Sequence, residues 1–187
     1  VVFLQGAYDP ALGLMRDNLR GSGLLPLSEP FTDLGYMQVG GGGEVTDQTV
    51  FDVTGADAIV DWVLLELRDK TDPTVIVATR AALLQSDGEV VDMDGVSPVA
   101  FGGLAADEYY LAIKHRNHLG VMSAAPVALS ASVWTPVSTW HGYRLFREVE
   151  ERGDHGCFAV TTNQGSADHE AAGPLVCLRL AGGGRQR

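Results

Sequence analysis

The apolar positions of this chain fall into short extended segments, and the clearest of them spans residues 58–69. Its apolar side chains alternate between two faces, with Val63, Leu65 and Leu67 on one and Val60, Trp62 and Leu64 on the other. Glu66 and Arg68 then make the second face polar. This pattern predicts a strand that is buried on both sides at its start. Leu and Glu also favour a helix, but Pro73 follows too soon for a long one, so the strand is preferred.

Further segments of the same kind follow, each bounded by turn residues. They cover residues 74–85, 89–91, 98–101, 109–119 and 126–130. Glycine in the turn at 86–88 can take a positive φ, which suits a hairpin. Gly120 is expected to end the long segment that starts at Tyr109. Short strands separated by turns about every 8–12 residues are typical of an antiparallel sandwich.

Residues 1–55 form a loop-rich N-terminal segment with weaker patterns. A helical turn is predicted over 12–20, an extended surface loop over 24–36 because of its two prolines, and a strand or turn over 46–54. The four glycines at 40–43 resemble part of a phosphate-binding loop, but the Lys-Ser/Thr that would complete the motif is missing. A flexible connection is therefore predicted there.

Composition and charge exclude several classes of function. The chain has 187 residues, a hydrophobic fraction of 45% and a formal net charge of −11, which predict a globular, acidic protein. Binding to nucleic acid needs clustered Lys and Arg, and adsorption to an anionic membrane needs basic residues as well. No apolar run reaches the roughly 18–20 residues that span a bilayer. We expect neither nucleic acid as a partner nor insertion into a membrane.

The charge is unevenly distributed, and this marks a boundary. Residues 1–130 carry 18 acidic and 7 basic side chains, whereas residues 131–187 carry 6 of each. Both cysteines and two of the three tryptophans also lie in the second part. We place the boundary near residue 130 and regard 131–187 as a poorly patterned extension. Because the chain starts within an apparent strand and without Met, we expect it to be a piece of a longer protein.

Two stretches, residues 82–91 and 101–113, resemble the prealbumin-like sandwich, which includes collagen-adhesin B-type repeats. The shared features are an Asp-Gly turn and then the pattern Phe-x-Gly-Leu-x-x-x-x-Tyr-x-Leu-x-Ile, present here from Phe101 to Ile113. The resemblance implies that Tyr109 or Tyr110 packs inside and is structural. Some such repeats carry a Lys–Asn isopeptide bond, but Lys114 and Asn117 lie on one short segment, so no cross-link is predicted.

A second resemblance covers residues 3–130. Residues 4–10, 24–31, 61–68 and 115–122 look like a region near the C-terminus of large secreted surface proteins of Bacteroidetes. It implies an exported, cell-surface or extracellular module without a known catalytic role. The family continues with a Gly-Asp-x-Asn-x-Asp-Gly stretch that residues 131–187 lack. A disordered or divergent extension and a shifted reading frame both explain this departure.

The densest polar cluster is Lys114-His115-Arg116-Asn117-His118. We single out His115, Arg116, Asn117 and His118 as a candidate ligand-binding group. On one strand His115 and His118 would face opposite sides, and only a turn would bring them together. Three roles stay open: metal binding without an obvious third ligand, contact with a ligand, and a structural role in which Arg116 pairs with an acidic neighbour and Asn117 fixes the turn.

Two other groups suggest metals. Asp87, Asp92 and Asp94 lie close together in two turns and form a candidate Ca²⁺ site. The alternative is that they are solvated turn residues, since Asp before Gly is common in turns. His155, Cys157, His169 and Cys177 have the composition of a zinc site, but their spacing matches no zinc knuckle. No other cofactor is predicted.

These observations predict an all-β chain: an antiparallel prealbumin- or immunoglobulin-like β-sandwich over 56–130, on which the segment 1–55 packs. The expected function is that of a non-catalytic structural or adhesion-type module of a larger exported bacterial surface protein, located outside the cell or on its surface. Its expected partners are other domains of the same polypeptide, a glycan or a surface protein. The alternative is a carbohydrate-binding module attached to a secreted hydrolase, which exposure of Trp62 or Tyr109 would favour and their burial would oppose.

Overall fold

A computed structural model describes residues 1–129 and two further short strands, and its regular secondary structure is almost entirely antiparallel strand. The elements in chain order are β1 (Tyr8–Asp9), β2 (Leu14–Met15), α1 (Asn18–Gly21), 3₁₀ turns at Gln48–Asp52 and Gly55–Asp57, β3 (Ile59–Asp69), β4 (Ile76–Gln85), β5 (Val90–Val91), β6 (Asp107–His115), β7 (His118–Met122), β8 (Val127–Leu129), β9 (Arg144–Phe146) and β10 (Ala159–Thr161). The all-β prediction is confirmed at this level. No helix in the described part of the chain is long and apolar enough to cross a bilayer.

Six strands form one sheet in the order β5-β4-β3-β6-β7, and β8 pairs with β6 beside β7. β7 flanks the second half of β6, and β8 flanks its beginning at Tyr109. β1 and β2 form a two-stranded ribbon, and β9 pairs with β10 in another. The strand predicted over 58–69 is confirmed as the central strand of the large sheet, with its first nine residues buried.

The prediction that one strand runs from Tyr109 to Gly120 is wrong. The chain turns at Arg116 and Asn117, so that β6 and β7 form a hairpin and Gly120 lies inside β7. The polar stretch that interrupts the apolar alternation is therefore the tip of a hairpin. This places His115 opposite His118 in the register of the two strands.

The large sheet is apolar on both faces, and residues of the N-terminal segment cover both. On one face Val63, Leu65 and Leu67 pack with Val2, Phe3, Leu4 and Met15. On the other face Trp62, Leu64 and Leu83 pack with Leu25, Phe31, Val50 and Phe51. The cover of the first face thus includes β2 of the short ribbon, and the cover of the second is loops and a 3₁₀ turn. Burial of these large side chains, at about 1.5–3 kcal/mol each, is the main stabilising contribution.

The run of four glycines packs tightly against β4. Thr79 donates its backbone N–H to the carbonyl of Val39 at 2.8 Å, and its hydroxyl accepts from the amide of Val39 at 2.8 Å. A Cβ on Gly41 would overlap the carbonyl oxygen of Thr79. The backbone N–H of Gly42 donates to the Glu44 carboxylate at 3.1 Å, and that of Gly43 donates to the Glu29 carboxylate at 3.0 Å. The chain's own carboxylates therefore occupy the position that a phosphate would need.

The segment predicted as a strand or turn, 46–54, forms a turn, and the strand predicted over 98–101 is not formed. Residues 46–54 contain the 3₁₀ turn Gln48–Asp52, because the Asp47 side chain accepts from the amide of Thr49 and starts a helical turn. Residues 98–101 make only an isolated bridge between Pro98 and Val91. Proline has no N–H to continue a ladder. The histidines and cysteines weighed as a zinc site lie outside the described residues.

Candidate functional site

Asp61 lies at the start of the central strand and is the acidic residue around which the polar cluster forms. It is only 2% exposed. The pairing of β3 with β4 shifts register between Ile59 and Asp61, and the pairing of β3 with β6 ends at Leu64 and Lys114. Such irregularities re-aim side chains. Here Asp61 projects to the place where β6 leaves β3 and turns into β7.

His115 meets Asp61 at this place and is itself 6% exposed. Its Nε2 lies 3.0 Å from Asp61 Oδ2, and its Nδ1 lies 2.9 Å from Nδ1 of His118. The two imidazole rings stand edge to face, with centroids 4.7 Å apart and planes at 67°. The turn that the sequence analysis required for a meeting of the two histidines is therefore present.

The hydrogen bonds assign the proton positions on both rings. The backbone amide of Asn117 donates to Nδ1 of His115 at 3.1 Å, so that this nitrogen is an acceptor. His115 then carries its proton on Nε2 and donates it to Asp61, while Nδ1 of His118 donates to His115. The result is a directional chain from His118 through His115 to Asp61.

Arg116 completes the cluster. Its guanidinium donates to Asp61 Oδ2 at 2.9 Å, and the backbone N–H of Trp62 donates to Asp61 Oδ1 at 2.8 Å. The prediction that Arg116 pairs with an acidic neighbour is confirmed. Partial burial of its ring lowers the pKa of His118, the electrostatic interaction with His115 lowers it further, and Asp61 opposes both effects. The His118 ring is therefore uncharged at neutral pH.

A second buried carboxylate lies further along β3. Glu66 is 1% exposed, and Arg68 donates to its Oε2 through Nε and Nη2 at 3.0 and 2.5 Å. Lys114 Nζ lies 2.5 Å from Oε1 of the same carboxylate and 6.0 Å from the centre of the Tyr36 ring. Glu66 and Arg68 make their face of β3 polar, as predicted, but the Glu66 carboxylate is buried and does not face solvent. Lys114 is thus ion-paired with Glu66, whereas Asn117 lies in the turn between β6 and β7.

The three residues proposed for Ca²⁺ all have partners within the protein, Asp87 and Asp94 inside their own turns and Asp92 on β4. Asp92 accepts from Nη2 of Arg80 at 2.7 and 2.8 Å, and Asp87 accepts from the amide of Glu89 at 3.0 Å. Asp94 accepts from the amide of Ser97 at 2.7 Å. Burial alone would raise the pKa of Asp94, but hydrogen bonds from Ser97 and Val96 bring it below its ordinary value. No group of three or more His, Cys, Asp or Glu ligands occurs within the described residues.

The two aromatic residues chosen to discriminate the functions differ in exposure. Trp62 is fully buried, and its Nε1 donates to the carbonyl of Pro26 at 2.9 Å. Tyr109 is half-buried against the apolar cluster that contains Val63 and Leu65, and its hydroxyl donates to the carbonyl of Ala105 at 3.1 Å. Neither ring is free to serve as a flat platform.

Sequence reasoning missed the carboxylates that organise these clusters. Asp61 and Glu66 interrupt a run of apolar residues in the strand 58–67, and a buried charge requires a partner. That interruption was the available signal. The partners could not be read from spacing, because His115 and Lys114 lie about fifty residues away and meet β3 only through strand pairing.

Comparison of the chain with models of protein families, with curated proteins and with solved structures finds no match.

Proposed function

We propose that this chain is a non-catalytic structural or adhesion-type β-module of a larger exported bacterial surface protein. Its partners would be other domains of the same polypeptide, a glycan or another surface protein, outside the cell or on its surface. The export and the bacterial surface setting come from the sequence resemblance alone.

One observation supports the non-catalytic part of the proposal: the two buried carboxylates of β3 are paired with neighbouring basic side chains. Asp61 accepts hydrogen bonds from His115, Arg116 and its own strand. Glu66 is paired with Arg68 and Lys114. A catalytic group must present a reactive atom to a substrate. The carboxylates of Asp61 and Glu66 are instead hydrogen-bonded to side chains of the protein. The arrangement stabilises the junction between β3 and β6.

The finer fold assignment also belongs to this proposal. We propose that the six-stranded sheet is one layer of a prealbumin- or immunoglobulin-like sandwich. The observation in its favour is that β2 of the short ribbon packs over one apolar face with Val2, Phe3 and Leu4. Sandwich folds bury inner faces in this way.

The carbohydrate-binding alternative gains no support from the aromatic residues. Sugar-binding surfaces need exposed aromatic faces, and Trp62 is fully buried in the apolar cluster that it forms with Leu64 and Phe31. Tyr109 is tied to Ala105. The structural or adhesion-type function is therefore the one that we carry forward.

Two assays on the complete chain test the proposal. In the first, the protein is incubated with chromogenic esters, phosphates and glycosides; no turnover is expected above that of buffer. In the second, it is applied to a glycan array, and any signal is expected to survive in Tyr109→Phe. Leu119→Ala is the matched control, because Leu119 is an exposed neighbour of the histidines on β7.

Turnover that disappears in His118→Ala and persists in Leu119→Ala would overturn the non-catalytic assignment. Saccharide binding that disappears in Tyr109→Phe or His118→Ala would replace it with the carbohydrate-binding module. Circular dichroism of each variant shows that the fold is retained in these comparisons.

A further inference from the structure

The hairpin tip brings two neutral imidazole rings together at the protein surface. His115 Nδ1 and His118 Nδ1 lie 2.9 Å apart, and Arg116 and Asn117 form the turn between them. His118 and Asn117 are exposed, while His115 is buried behind them. Water and small ions therefore reach the pair from the side of His118.

The inner ring is oriented in the way that metal-binding histidines usually are. The Nε2–H of His115 donates a hydrogen bond to Asp61, which leaves the lone pair on Nδ1 facing Asn117 and His118. A carboxylate on the second nitrogen fixes the tautomer and raises the basicity of the coordinating nitrogen. Asp61 is in turn held by Arg116 and by the backbone of Trp62.

The distances between the rings distinguish among coordination geometries. At a right angle, two metal–nitrogen bonds of about 2.1 Å place the nitrogens about 3.0 Å and the ring centroids about 4.6 Å apart, whereas a tetrahedral angle spreads the nitrogens to about 3.4 Å. The observed separations are 2.9 Å between the nitrogens and 4.7 Å between the centroids. These separations are those of the hydrogen bond between the rings, and an ion that takes both nitrogens at adjacent square or octahedral positions replaces that bond with little movement.

We propose that His115 and His118 bind a late first-row divalent cation of tetragonal preference, Cu²⁺ or Ni²⁺, through their Nδ1 atoms, with Asp61 as the positioning residue. Water supplies the remaining ligands, since the described residues offer no third ligand at this place. On binding, the proton on Nδ1 of His118 moves to its Nε2, and the ring stays neutral. The amide of Asn117 exchanges its bond to His115 for one to water, which is easy at an exposed turn.

The surrounding charges favour a cation. The chain carries a net charge of −11. The two basic side chains of the hairpin tip are ion-paired, Arg116 with Asp61 and Lys114 with Glu66, which also pairs with Arg68. This proposal does not depend on the adhesion-type role.

The proposed metal site is tested by titrating the complete chain with Ni²⁺. Binding is monitored by calorimetry and by NMR line broadening. Ni²⁺ is preferred to Cu²⁺ as the probe because Cu²⁺ oxidises free thiols, and the chain has two cysteines. Broadening is expected first at residues 115–118. His118→Ala should lose this site, and Asp61→Asn should weaken it about 10- to 100-fold. His169→Ala is the matched control and should bind as the unchanged protein does.

The outcomes are distinct. Equal Ni²⁺ affinity in the unchanged protein and in His118→Ala, or broadening confined to residues 141–187, would overturn the proposal. His118→Ala removes an exposed ring and leaves Asp61, Arg116 and His115 in place, so a retained circular dichroism spectrum is expected. Loss of binding in that folded variant supports the site even where Asp61→Asn fails to fold.

Discussion

At the scale of single residues, three carboxylates show how this acidic chain encloses negative charge. Asp61 and Glu66 are paired with basic side chains. Glu29 is 5% exposed and accepts instead from the amides of Phe31, Thr32 and Gly43, at 2.6, 3.1 and 3.0 Å, and from the Thr32 hydroxyl. It thereby joins the loop 29–32 to the glycine run. Because N–H and O–H groups of the N-terminal segment hold this carboxylate, replacing Glu29 tests how that segment is fixed.

Glu29→Gln should lower the free energy of unfolding by about 1–3 kcal/mol at pH 7, because an amide NH₂ would then face N–H donors. Burial alone would raise the pKa of Glu29, but hydrogen bonds from Thr32, Gly43 and Phe31 bring it below the ordinary 4.5. The unfolded chain therefore binds this proton first as the pH falls. The stabilisation is complete above pH 4.5 and is lost as the pH falls through the lower folded value.

Urea denaturation at pH 7 and in acid checks this expectation. The difference between Glu29→Gln and the unchanged protein should shrink in acid, where Glu29 of the unchanged protein is protonated as well. Asp33→Asn, at an exposed position of the same loop, is the control and should stay within about 0.5 kcal/mol. A constant difference at all pH values would contradict the assignment.

At the scale of elements, the strands were foreseen where their pattern was long and apolar. β3 and β4 follow from their alternation and from the turn at 86–88, where Gly88 has φ +89°. The hairpin of β6 and β7 was missed, because its turn carries charged and amide residues instead of the Gly that marks a tight turn. The segment 1–55 has little regular structure, and its close fit to β4 could not be foreseen, because docking depends on contacts distant in sequence.

The fit of the N-terminal segment to β4 depends on the missing side chain of Gly41. Gly41→Ala should lower the free energy of unfolding by about 1–3 kcal/mol, since its Cβ would overlap the backbone of Thr79 and push the loop from the sheet. Gly6→Ala is the matched control, because a Cβ there meets nothing within 4 Å. Equal stability of the two variants in thermal unfolding would show that the loop does not rest on β4 in this way.

At the scale of the whole molecule, one strongly apolar sheet is enclosed by a segment with little regular structure of its own. The sequence was sufficient for the all-β class and for burial of the central strand on both faces. It was insufficient for the polar cluster, because Asp61 lies some fifty residues before His115 and the two meet only when β3 pairs with β6. The sandwich assignment and the surface role stay predictions.

The most direct test of the central claim, that the buried polar cluster serves the fold and not a reaction, is the free energy of unfolding of two variants in urea. Asp61→Asn should lose about 3 kcal/mol, because it leaves Arg116 without its carboxylate and sets an amide against the Nε2–H of His115. His118→Ala should lose less than about 1 kcal/mol, since it removes one exposed ring. An Asp61→Asn variant as stable as the unchanged protein would contradict the claim.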